Sequence, residues 1–142
     1  MILGIHHPAI AVPDMRDALA FYRDGLGFEV GMNVELPSGF DEMSQAFGIA
    51  DAGCKVCMLS KGGTSLELFE FNDSEAGDDA RPVNKIGITH FALESDDIEN
   101  DYEHLASLGV EFNAALFGAA PSRFAYGRDP FGNVIELLEK AG

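Results

Sequence analysis

Two histidines and two glutamates recur in this 142-residue sequence as matched pairs, His7 with Glu67 and His90 with Glu136. GIHHPAIAVPDMRDALAFYRDGLGFEV, from Gly4, aligns with GITHFALESDDIENDYEHLASLGVEF, from Gly87, so that His7 meets His90 and Asp14 meets Asp97. Further on, GTSLELFE from Gly63 aligns with GNVIELLE from Gly132, which sets Glu67 over Glu136 and Glu70 over Glu139. One histidine or one glutamate on a strand is unremarkable. The same pair written twice at equivalent places points to a metal, because two imidazoles and two carboxylates suit a borderline divalent ion such as zinc, nickel, cobalt, manganese or iron(II). Four protein ligands on an octahedral ion leave two positions for water or substrate.

The elements that carry these residues follow from period and punctuation. Each half reads as β-α-β-β-β. Strands are predicted over 4–12, 28–34, 53–60 and 64–71, and again over 87–94, 110–116, 122–128 and 133–139. Asp14 is the expected N-cap of a helix whose apolar face is Met15, Ala18, Leu19, Tyr22 and Leu26, ended by Gly27. In the second half Asp96 is the expected cap, with Glu99 in capping-box position and a stripe of Ile98, Tyr102, Leu105 and Leu108. Strand alternation puts Glu67 on one face with Ser65, Phe69 and Phe71, and Glu136 with Val134 and Leu138. The opposite faces carry Leu66, Leu68, Ile135 and Leu137, suited to lie under the helices. A carboxylate on an apolar sheet face is costly to bury unless paired or metal-bound. The fold class is therefore α+β, one domain over 1–142 made of two tandem β-α-β-β-β modules at 4–71 and 87–139, joined by an acidic linker at 72–86. Residues 35–52, with Phe40, Met43 and Phe47, form an extra loop or short helix that either shapes specificity or simply covers the core.

Composition narrows the partners. Acidic residues outnumber basic ones 24 to 9, for a formal charge of -15, which argues against nucleic acid and anionic membranes as partners. An anionic substrate would have to be met by Lys55, Lys61, Arg123 or Arg128, the positive residues on segments that could line a pocket. No apolar run approaches the roughly 20 residues of a membrane span, and the N-terminus does not read as a signal peptide, so a soluble, cytoplasmic protein is expected. Cys54 and Cys57 form a CxxC, yet CKVCML reads as a strand on which positions three apart face opposite ways. Buried small apolar residues are expected there, rather than a redox or zinc site.

The stretches HHPAIAVPDMRDALAFYRDGLGFEV, SLELFEF, GITHFAL and GRDPFGNVIELLE resemble the vicinal oxygen chelate superfamily, which includes glyoxalase I, methylmalonyl-CoA epimerase, extradiol dioxygenases and bleomycin- and fosfomycin-resistance proteins. The resemblance spans nearly the whole chain. It implies paired β-α-β-β-β modules forming a cupped mixed sheet, one divalent metal between them on His7, Glu67, His90 and Glu136, and a homodimer. The His-Glu-His-Glu set looks like that of glyoxalase I or an epimerase. Such a site polarises a carbonyl, stabilises an enediolate and shifts a proton on the adjacent carbon, with Glu136 or Glu67 as ligand and base.

Departures from the family pattern bear on the substrate. Where glyoxalase I usually has an arginine for glutathione, this chain reads Ala11-Val12-Pro13-Asp14, and Phe71 stands at a position often held by asparagine. With Tyr126, Phe69, Phe71 and Arg128 as pocket residues, the implied substrate is a small, partly apolar carbonyl compound. Two alternatives stay open. An extradiol iron(II) dioxygenase would use Tyr126, ten residues before Glu136, although such enzymes carry a further histidine that residues 110–125 lack. The other is a metal-free, ligand-sequestering binding protein of the antibiotic-resistance type, a type that generally lacks the metal-ligand set.

Overall fold

The computed structural model describes residues 1–39, 41–75 and 81–140. Phe40, and residues 76–80 of the expected linker, lie outside the described residues. The chain forms two compact units, Met1–Ala76 and Gly77–Gly142. The first has strands β1 (Ala9–Ala11), β2 (Glu29–Leu36), β3 (Cys54–Lys61) and β4 (Thr64–Phe71), with helices α1 (Met15–Leu19) and α2 (Asp41–Phe47). The second has β5 (Phe91–Ser95), helix α3 (Ile98–Ser107), β6 (Glu111–Phe112), β7 (Phe124–Arg128) and β8 (Val134–Glu139). The sheet orders are β1-β4-β3-β2 and β5-β8-β7-β6. In each, the first strand runs parallel to the last and the other pairings are antiparallel. This is the expected α+β class with β-α-β-β-β written twice. No helix among the described residues is long and apolar enough to cross a membrane.

Each sheet buries one face under its helix. In the first unit Leu59, Leu66, Leu68 and Cys57 are buried with Met15, Ala18, Phe21 and Tyr22, and α1 packs on β4. In the second, Ile135 and Leu137 are buried with Ile98 and Leu105, and α3 packs on β8. The sequence period does not foresee that α1 continues into a π-helical stretch, Ala20–Gly25. There Leu26 N donates to Phe21 O at 3.0 Å, an i to i+5 bond that widens the turn. The widening brings both Phe21 and Tyr22 inside, their rings edge-on at 4.9 Å. Gly27, at φ 72, then ends the helix as expected; only glycine takes that conformation without strain.

Several boundaries differ from expectation. The strand predicted over 4–12 is reduced to Ala9–Ala11, because Pro8 has no N–H to give to a ladder; its carbonyl still accepts from Glu67 N at 3.0 Å. The strand predicted over 87–94 begins at Phe91, after Gly87 takes a φ of 134 that ordinary strand residues avoid. The strand predicted over 110–116 shrinks to Glu111–Phe112, followed by an isolated bridge from Phe117 to Phe124; asparagine and alanine at 113–115 favour pleated structure poorly. The cap of α3 is Asp97, whose carboxylate accepts from Asn100 N, rather than Asp96. Asp97 is the repeat partner of Asp14, which caps α1 by accepting from Asp17 N at 2.9 Å. With the cap moved by one residue, Glu99 leaves the capping-box position and pairs with Arg123 instead.

The cysteines behave as the strand reading requires. Cys54 pairs in register with Phe71 on one face of β4, and Cys57 with Leu68 on the other. Both are free and fully buried, and burial pushes each thiol upward from its ordinary value. Thiols so placed are inert.

Candidate metal half-sites

On the face of each sheet turned away from its helix, a histidine just before the first strand meets a glutamate on the last. His7 Nε2 lies 3.0 Å from Glu67 Oε2, and His90 Nε2 lies 3.1 Å from Glu136 Oε2. The geometry follows from the parallel pairing. Ala9 is in register with Glu67, and Ala92 with Glu136, so the residue two before each alanine reaches over the same carboxylate. Both glutamate side chains are largely covered, at 14% and 15% exposure. Charges so covered need a partner.

The donor set fits a divalent ion. Two cis ligands at bond lengths of about 2.1 Å stand about 3 Å apart, from the usual metal–nitrogen and metal–oxygen distances. The observed histidine–carboxylate contacts have the same spacing. No group of three or more ligand-type side chains occurs among the described residues, and each unit by itself brings two donors.

The other ring nitrogen of each histidine is also held. His7 Nδ1 is 2.7 Å from His6 Nδ1, and His90 Nδ1 is 2.7 Å from Thr89 Oγ1. Partners on the far nitrogen fix tautomer and ring plane, as they do behind metal-ligating histidines generally. Neither His6 nor Thr89 stands out among the candidate residues of the sequence. They occupy the same repeat position, a polar side chain directly before the ligand histidine, which is the signal that could have found them.

Beyond the paired ligands the two faces diverge. Tyr126 stands in register with Glu136 across β7 and β8, and its ring meets the His90 ring edge-on at 5.0 Å. Burial first, then the Glu136 charge and a hydrogen bond to it, push the phenol above its ordinary value. The corresponding position opposite Glu67 is Met58. On the first unit, Phe69 and Phe71 stack with centroids 5.3 Å apart and planes within 6°. Phe47 of α2 stands perpendicular to both, at 5.7 and 5.8 Å.

The cations expected to meet an anionic substrate have other partners. Lys55 binds Glu70 at 2.7 Å, and Lys61 donates to Leu26 O. Arg123 is held by Glu139 and Glu99. Arg128, expected in the pocket, shares a strand face with Tyr126, but its guanidinium donates to the Gly132 and Arg81 carbonyls at 2.7 and 2.6 Å. His104 lies on α3 and joins neither pair.

Comparison with known proteins identifies the fold and the family. A model described as the Glyoxalase/Bleomycin resistance protein/Dioxygenase superfamily matches residues 4–137. The mitochondrial methylmalonyl-CoA epimerase of Bos taurus is 32% identical over 139 residues, covering 94% of this chain and 72% of the relative. A 2-epi-5-epi-valiolone epimerase from Actinomyces is 26% identical over 144 residues, covering 96% and 79%. Among solved structures, a glyoxalase family protein from Bacillus cereus superimposes with a TM-score of 0.87 at 21% identity, over 100% of this chain and 97% of the other. The fosfomycin resistance protein FosX of Listeria monocytogenes, complexed with Mn(II) and sulfate, gives 0.66 at 19% identity, over 99% and 95%.

Proposed function

Since this chain belongs to the Glyoxalase/Bleomycin resistance protein/Dioxygenase superfamily, we propose that it is a divalent-metal-dependent enzyme of the epimerase or glyoxalase I type, moving a proton α to a carbonyl. The observation that carries the reading is the duplicated contact, His7–Glu67 and His90–Glu136, at 3.0 and 3.1 Å. Its support from relatives is that two of them are named as epimerases. His7, Glu67, His90 and Glu136 would hold the ion, zinc, nickel, cobalt or manganese; manganese accompanies FosX, which shares the fold. When bound, the ion would supply Lewis-acid polarisation of the substrate carbonyl.

The protein's own residues do the rest. Glu67 and Glu136 are the carboxylates placed to take and return the α-proton. His6 and Thr89 keep the imidazoles turned toward them. Tyr126 buttresses Glu136 and His90. The commitments of Lys55, Lys61, Arg123 and Arg128 to protein partners favour a substrate recognised by apolar contact rather than by an anionic handle. A homodimer is part of the same reading, and each unit offers an exposed isoleucine for it to cover, Ile5 at 94% and Ile88 at 82% exposure.

The test is metal analysis of purified protein beside Glu67→Ala, with solvent deuterium exchange at the α-carbon of a neutral α-hydroxyketone, 1-hydroxy-1-phenylpropan-2-one. One equivalent of metal in the wild type, lost in the variant, together with metal-dependent exchange, is the expected result. A protein that takes up no divalent metal overturns the reading in favour of a binding protein. Iron with oxygen-dependent ring cleavage overturns it in favour of a dioxygenase.

A further inference from the structure

The duplicated His–Glu pair is nearly symmetric, but the strand surface beside it is not. Along β4, the two residues that follow Glu67 on its own face are Phe69 and Phe71, whereas β8 offers only Leu138 on that face past Glu136 and ends at Glu139. Helix α2, which has no counterpart among the described residues of the second unit, delivers Phe47 against both rings. The cluster is not sealed: Phe47 is 36% exposed, and Phe69 and Phe71 are each half-buried.

The open flank lies toward β1. Ala9 is in register with Glu67, and Ala11 with Phe69. Both alanines are exposed, so two minimal side chains adjoin two large rings along an edge strand. The result is a gutter with an alanine floor, an aromatic wall and the Glu67 carboxylate at one end. Beside Glu136 the rings lie across β7 instead, Tyr126 against Phe124 and Phe124 against Phe117, while toward β5 Ala92 is followed on the same face by Glu94, in register with Leu138.

We propose that this gutter is a specificity subsite for a flat apolar group, an aryl or comparable planar substituent, on the carbon next to the reacting carbonyl. The proposal rests on the reading of Glu67 as part of the reactive site. Phe69 and Phe71 are parallel and Phe47 perpendicular, so a planar guest finds both stacking and edge-to-face partners within the 4.5–7 Å that aromatic pairs favour. Ala9 and Ala11 leave it room beside Phe69. Continuity with Glu67 ties the occupant to the substrate of that carboxylate.

Benzohydroxamate and acetohydroxamate, chelators that differ only in the planar group, separate the subsite from the metal. Titrated calorimetrically into Mn(II)-loaded protein, benzohydroxamate should bind about tenfold more tightly, the scale of an aromatic pair plus modest apolar burial. Phe69→Ala should cut the preference to about threefold or less, while acetohydroxamate affinity stays within about twofold. Ala11→Leu should do the same by filling the gutter with the aromatic cluster intact, which answers the objection that Phe69→Ala disturbs β4. Equal affinity of the two chelators, or a preference that survives both substitutions, overturns the subsite.

If Mn(II) does not bind at all, the metal reading fails instead. The gutter is then read by titrating phenylacetone against acetone into isotope-labelled protein. Shifts at Ala9, Ala11 and Phe69 that are specific to phenylacetone uphold it, and their absence overturns it.

Discussion

The two units of this chain share strand order, parallel first-to-last pairing, helix-capping aspartate and a histidine–glutamate contact, yet they differ in almost everything that surrounds that contact. Opposite Glu67 stands Met58, opposite Glu136 stands Tyr126. Beside Glu67 run alanines and phenylalanines; beside Glu136 stand an exposed Glu94 toward β5 and the rings of Phe124 and Phe117 toward β7. Behind the site even the buttresses diverge. Glu70 accepts from Lys55 and from Met15 N at the start of α1, whereas the equivalent Glu139 accepts three bonds from Arg123. Duplication kept the histidine–glutamate contact in both units. What a single, asymmetric substrate meets was free to change.

The comparison can be broken hardest in the cores. Leu68 and Leu137 occupy equivalent buried positions at 0% and 2% exposure, and truncating either to alanine should cost about 2–5 kcal/mol in chemical denaturation. Similar costs would confirm that the helix-facing layers remain equivalent, and a cost below about 1 kcal/mol at either site would refute that. Next comes the position opposite each glutamate. Tyr126→Phe should lower kcat several-fold, about the worth of one hydrogen bond of roughly 1 kcal/mol, while Met58→Leu changes it less than about twofold. Equal effects would remove the functional distinction between the faces.

The helix caps should differ mildly. Asp14→Ala breaks a 2.9 Å bond and Asp97→Ala a 3.4 Å one, so losses of about 1 kcal/mol, larger at Asp14, are expected in thermal melts. The smallest effect separates the buttresses by pH. Arg123 holds Glu139 and Glu99 below their ordinary range. A carboxylate depressed in the folded state stabilises the fold above its unfolded value near 4.5, and that contribution drains away as pH falls through the folded value. Lys55 is raised above 10.5 by Glu70, so its contribution is whole below that value and lost as pH rises through the folded one. The second unit's tie should therefore weaken in acid and the first unit's in base. Melts of Arg123→Met and Lys55→Met against wild type, at pH 3–5 and 10–12, would show each variant's deficit closing at its own end.

Much of this was legible in the sequence for physical reasons. A repeat aligned on glycines and aspartates fixes which histidine answers which glutamate, and alternation along β4 and β8 then says which residues share their face. The second cap was misassigned to Asp96 because two aspartates adjoin; the repeat, which pairs Asp97 with Asp14, held the answer. The first strands were drawn too long because Pro8 and Gly87 interrupt apolar stretches that otherwise look continuous. The π-helical stretch could not be read, since it reflects the need to bury adjacent aromatics at 21 and 22. Nor could the seat of Phe47, which depends on where an inserted helix lands. Arg128 reached its strand face as expected, but bonds to the Gly132 and Arg81 carbonyls turn its guanidinium to structural use.

Those attachments of α2 carry a consequence of their own. The segment is fastened near its ends, by Gly39 N to Asp51, Ala52 N to Ser44 and Asn72 to Ser38, and touches the aromatic cluster through Phe47, while burying none of its own residues. It behaves as a cassette. Descendants of this chain could exchange its contents to suit new substrates while the duplicated scaffold, and the residues that would hold the ion, stayed as they are.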